Sequence, residues 1–107
     1  MHIIVLGGTN DNNGILSDFT KKRIEKCYEL LGNDQNNVNV HFSGGFNEKF
    51  NNTNISHSQL CINYFEQINK LNIKINKQIH EKNNNTVHEA IHFGEYFANN
   101  NLNIKII

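Results

Sequence analysis

The chain has 107 residues, ten basic and ten acidic side chains that cancel, 37% hydrophobic residues and a mean hydropathy of −0.57. That length leaves room for one small domain spanning residues 1–107, and the cancelled charge argues against nucleic acid as a partner or a membrane surface held by bulk charge. No apolar run is long enough for a bilayer and Met1-His2 leads straight into a strand pattern, so the expectation is a cytoplasmic protein without a membrane partner.

The first element is the run Ile3-Ile4-Val5-Leu6, which stops abruptly at Gly7-Gly8-Thr9. Four apolar, largely β-branched residues ending in glycines read as a strand buried on both faces that closes in a tight turn. After a polar loop from Asn10 to Gly14, Ser17-Asp18 supply an N-cap. Ile24, Cys27, Tyr28 and Leu31 then share one helix face, and Gly32 closes that helix. Asn33 to Asn37 return the chain to a second strand, Val38 to Phe42, which ends in Ser43-Gly44-Gly45. The loop from Phe46 to Ile55 is long for a compact α/β connection and reads as an insertion. Ser56 caps a second helix with an apolar stripe of Leu60, Cys61, Tyr64, Phe65 and Ile68.

Gln78-Ile79-His80 is a weak third strand leading to Glu81. Thr86 and Glu89 read as a capping box opening a third helix that buries Ala90, Ile91, Phe97 and Ala98, with Asn99 to Asn101 ending it. Ile104 to Ile107 form a fourth strand. The alternation predicts an α/β fold: a three-layer α/β/α domain with a small parallel sheet of about four strands. In such a sheet every strand's carboxyl end opens on one edge, where ligands bind.

Several residues on that edge are candidates. Gly7, Gly8, Thr9, Ser43, Gly44 and Gly45 put backbone N–H groups where a phosphate, ribose or carboxylate can approach, although glycine also serves such turns without any ligand. Glu81 leaves the third strand on the same edge, where a carboxylate can bind ribose hydroxyls or act as a base. Arg23 is the single arginine among nine lysines in a chain that is about a fifth Asn. Its guanidinium fork suits an anion at the mouth of the first helix or an ion pair with Asp18 or Glu25. Asn85 and Thr86 stand at the start of the third helix, where capping and ligand contact can coexist. The glycine spacing is not GxGxxG and no Walker lysine follows, so dinucleotide or P-loop binding is not indicated. Cys27 and Cys61 have no metal spacing and read as buried core cysteines.

The ordered words Val5-Leu6-Gly7-Gly8, Leu16-Ser17 with Arg23, Phe42-Ser43-Gly44-Gly45, and Ile79-His80-Glu81 followed by Asn85-Thr86-Val87-His88-Glu89 resemble the YdcF/SanA-like family. The resemblance covers the N-terminal two-thirds of that family's pattern. It implies a Rossmann-like fold with a ligand pocket at the carboxyl edge and a nucleotide-like cofactor or ligand such as S-adenosylmethionine. The chain departs from the pattern at Ser56-His57-Ser58, where members usually carry Ser-Glu-Ala, and at Ala90. The family's later Tyr-His-x-x-Arg segment has no counterpart here.

Two other readings stand beside ligand binding. An open sheet edge can pair with a second copy or another protein, which would make the domain an interaction module or a homodimer. His88-Glu89-Ala90-Ile91-His92 matches HExxH, the zinc-hydrolase spacing, but no third ligand follows in a suitable place. His2, His41, His57 and His80 show no ligand spacing, and no nucleophile and base are spelled out as a pair.

Overall fold

A computed structural model describes residues 1–32, 38–47, 49–98 and 104–107. Strands and helices alternate among them: β1 (His2–Val5), α1 (Asp18–Leu31), β2 (Asn39–Ser43), α2 (His57–Ile68), β3 (Asn76–His80), α3 (Thr86–Phe97) and β4 (Ile104–Ile106). The expectations for Asn33 to Asn37, Asn99 to Asn101 and one residue of the 46–55 loop lie outside the described residues.

The four strands form one parallel sheet in the order β3-β2-β1-β4. Ile3 lies beside Val40 and Val5 beside Phe42, so the β-branched run of β1 fills the centre of the sheet. From β1 the chain moves outward twice in one direction, then returns past β1 to β4. Because parallel crossovers are right-handed, α1 and α2 fall on one face and α3 on the other. This is the expected three-layer, Rossmann-like architecture. The strand order reverses between β1 and β4, the kind of place where open α/β sheets form a binding crevice.

The two faces of the sheet differ chemically. Ile3, Val5, Val40 and Phe42 pack with Ile24, Cys27, Leu31, Leu60, Cys61 and Phe65 of α1 and α2 into the apolar core. Both cysteines are free and buried, and burial pushes their thiols up to about 12. On the other face His2, His41 and His80 carry imidazoles against the aromatic residues of α3. Side chains alternate along a strand, so this face is a second, more polar surface that one helix covers.

That difference corrects the expectation for α3. Its buried residues are Glu89 and Phe93, one turn apart, whereas Ala90 and Ala98 are exposed and Ile91 is 56% exposed. The helix turns toward the sheet the side chains that fit around the imidazoles, and its branched residues Val87 and Ile91 face outward. The cap also lies one residue earlier than expected. Asn85 Oδ1 accepts from the His88 backbone N–H at 2.8 Å, so Asn85 is the N-cap, and the Glu89 carboxylate is used elsewhere. Ser56 caps α2 as expected, accepting from the Gln59 N–H. Strand β3 begins at Asn76, two residues before the expected start. No described helix is long and apolar enough to cross a membrane.

Candidate functional site

The turn after β1 is drawn tight by close approaches. A Cβ on Gly7 would stand 2.9 Å from the Ser43 carbonyl oxygen and 3.1 Å from Glu89 Oε2. Glycine there lets the Gly7 N–H donate to Glu89 Oε2 at 2.7 Å. The Gly8 N–H donates to His57 Nε2 at 3.0 Å, and the Thr9 N–H to Thr20 Oγ1 at 3.3 Å. After β2, Gly44 takes φ +127°, a conformation L side chains rarely adopt, and its N–H donates to the His80 carbonyl. The Gly45 N–H donates to the Asn83 carbonyl. The backbone donors expected to face a ligand are therefore bound within the protein, and the glycines serve the packing of one turn on the next.

His57 joins these turns. It is fully buried at the start of α2, with Nε2 accepting from Gly8, so its proton sits on Nδ1 and donates to Asn10 Oδ1 at 2.8 Å. Burial, with the Arg23 charge adding to it, lowers its pKa to about 4. A neutral imidazole of fixed tautomer thus stands at the start of α2.

Above the β1 turn opens a cleft of about 390 Å³. Gly7, Gly8 and Thr9 line it together with Arg23, whose Nη1 donates to the carbonyls of Leu6 and Gly7 at 3.3 and 2.9 Å. The guanidinium also lies 5.1 Å from the centre of the Phe19 ring. The strand end and the ring thereby fix the arginine, and among the described residues no carboxylate pairs with it. Its Nε and Nη2 have no hydrogen-bond partner among those residues, which leaves donors for an anion.

The long loop after β2 forms another wall. Asn51 is buried, and its amide donates to the carbonyls of Gly45 and Ile55. The Asn10 N–H donates to the Phe50 carbonyl, so Lys49 and Phe50 are held against the cleft. Asn83, Asn84 and Asn85 close it from the β3–α3 connection, and Asn47 bridges to the Asn84 carbonyl. Glu89 reaches the same space.

Of the residues singled out from the sequence, Gly7, Gly8, Thr9, Arg23, Gly44 and Asn85 line this cleft. Ser43 lies buried beneath, its hydroxyl accepting from Asn83 Nδ2, and Gly45 packs under the Glu81 carbonyl. Glu81 stands apart: its carboxylate accepts from Ser56 Oγ at 3.1 Å, and it borders a separate hollow with His80 and His92. Thr86 is the first residue of α3, and its side chain is outside the described ones. Sequence reasoning missed Phe19, Lys49, Phe50 and the Asn83–Asn84 pair. The available signal was an unusually long loop directly after a glycine pair.

The HExxH residues diverge. His88 is exposed, Glu89 binds the Gly7 N–H, and His92 Nε2 lies 2.7 Å from His80 Nδ1. Among the described residues no group of three or more His, Cys, Asp or Glu is arranged to hold a metal ion. In comparisons with known proteins, no family model, curated protein or solved structure matches the chain.

Proposed function

We propose that the cleft at the carboxyl end of β1 binds a small anionic or nucleotide-like ligand. The observation that carries this reading is Arg23: a guanidinium anchored on strand-end carbonyls, lining an open cleft, with donors left over. Lys49 adds a second positive charge, and Phe19 and Phe50 supply aromatic surface for a flat ring system. The amides of Asn47, Asn84 and Asn85 offer both donors and acceptors, and Glu89 is an acceptor suited to sugar hydroxyls. The volume lies within the range of small-molecule sites. The resemblance of the LGG, SGG and Asn-Thr-x-Glu segments to YdcF/SanA-like proteins points the same way. The anion here is met by side-chain cations, since the glycine N–H groups are already engaged.

Thermal unfolding in the presence of adenine nucleotides, S-adenosylmethionine and sugar phosphates tests the reading. A ligand at about a hundred times its Kd adds about 2.7 kcal/mol, or on the order of 10 °C for a domain of this size. The expected result is stabilisation by at least one of these ligands that falls at least about tenfold in apparent affinity in Arg23→Gln, a loss of about 1.4 kcal/mol. No shift with any of them, or an equal shift in the variant, would overturn it.

A further inference from the structure

Four of the six histidines, distant in sequence, form one row across the α3 face of the sheet. His2 Nδ1 lies 2.9 Å from His41 Nε2, His41 Nδ1 lies 2.9 Å from His80 Nε2, and His80 Nδ1 lies 2.7 Å from His92 Nε2. The row starts on β1, crosses β2 and β3, and ends on α3. His41 in its middle is fully buried, while both ends are partly exposed.

Proton counting gives this row a property that no single histidine has. Each of the three hydrogen bonds holds one proton, and the outward nitrogens, His2 Nε2 and His92 Nδ1, hold one each. The intact row therefore carries at most one proton more than four neutral imidazoles bring. A first added proton breaks nothing, because it enters at an end and every bond keeps its single hydrogen. A second forces two N–H groups to face each other somewhere in the row. Strands β1, β2 and β3 cannot part there, because backbone ladders hold them in register. Helix α3 can. Besides the His80–His92 bond, it is tied by Glu89 to the Gly7 N–H and by Phe93 lying on the imidazoles.

We propose that this row is a proton-counting latch: one added proton leaves α3 docked, and the second releases it from the sheet. The charged and titratable neighbours are the Met1 amine beside His2, Tyr96 of α3 against His41 and His80, and Glu81 and Lys82 bordering His80 and His92. The Glu81 carboxylate is occupied by Ser56. Burial and the neighbouring imidazoles lower both His41 and His80 to about 4, so at neutral pH the two middle imidazoles are neutral and keep their bonds. Release would take Glu89 and Asn85 away from the β1 cleft, so acid would open that cleft whatever it binds.

Hydrogen–deuterium exchange on the full chain, expressed as protection factors from about pH 7.5 to about pH 4.5, tests the proposal. Protection of α3 should fall below the ordinary imidazole value of 6.5 with a pH slope near two protons, while α1 and α2, though also weakened in acid by the protonation of His57, stay better protected than α3 at every pH. In His92→Gln, where an amide can bond His80 in either sense without taking a proton, α3 protection should become insensitive to pH across this window. A one-proton slope, α3 protection equal to that of α1 and α2 at every pH, or an unchanged response in His92→Gln would overturn it. A refolded, well-protected His92→Gln with the wild-type pH profile is the most decisive contrary result.

Discussion

At the scale of single residues, His57 shows how one side chain fastens several turns at once. It accepts from Gly8, donates to Asn10 and fills the space beside Gly44, whose absent Cβ would stand 2.7 Å from the imidazole ring. Its folded pKa, about 4, lies below the ordinary 6.5. The unfolded chain therefore binds the extra proton between these values, and His57's contribution is complete above 6.5 and is lost as pH falls toward 4. The drop corresponds to about 3 kcal/mol at 1.36 kcal/mol per tenfold. Urea unfolding of His57→Leu at neutral pH should show a loss of about 2–4 kcal/mol, with a flatter dependence of stability on pH below 6.5. Gly45→Ala should cost about 2 kcal/mol or more, because the new methyl would meet the rigid Glu81 carbonyl. None of these reaches was legible in the chain. The words LGG and SGG reveal that glycine is needed, but the partner that needs it lies 49 residues away for Gly8.

Among the elements, those with one unambiguous apolar stripe read well from sequence. Strand β1 and helices α1 and α2 appear where Ile3, Val5, Ile24, Cys27, Leu60, Cys61 and Phe65 placed them, because an apolar face has only one energetically sensible direction. Helix α3 was different. Val87, Ala90, Ile91, Phe93, Tyr96 and Phe97 are spread around it, and which of them turn inward depends on the imidazoles below, which periodicity cannot see. Phe93→Ala should therefore cost about 3 kcal/mol or more in denaturant unfolding, whereas Ile91→Ser should stay within about 0.5 kcal/mol. The loop after β2 reads from its length as an insertion. Yet Asn51, buried and bonded to two carbonyls, makes that loop a fixed wall for Lys49 and Phe50.

For the whole molecule, strand order decides where chemistry can gather. Parallel strands in the order β3-β2-β1-β4 bring the turns after β1, β2 and β3 to one edge, with the reversal of direction beside β1. That much followed from the alternation of strand and helix patterns. The division of the edge did not: Thr9 lines the cleft, Ser43 lies beneath it, and Glu81 borders a separate hollow with His80. Arg23 and its neighbours build the proposed ligand site at the end of β1. Titrating an adenine nucleotide into isotope-labelled protein, with amide and arginine side-chain shifts followed by NMR, addresses it directly. The largest, saturable changes are expected at Gly7 to Thr9, the Arg23 guanidinium, Phe50 and Asn83 to Asn85. Saturable changes confined to the outer face of α3 or to the hollow beside Glu81, with Arg23 unmoved, would contradict that expectation.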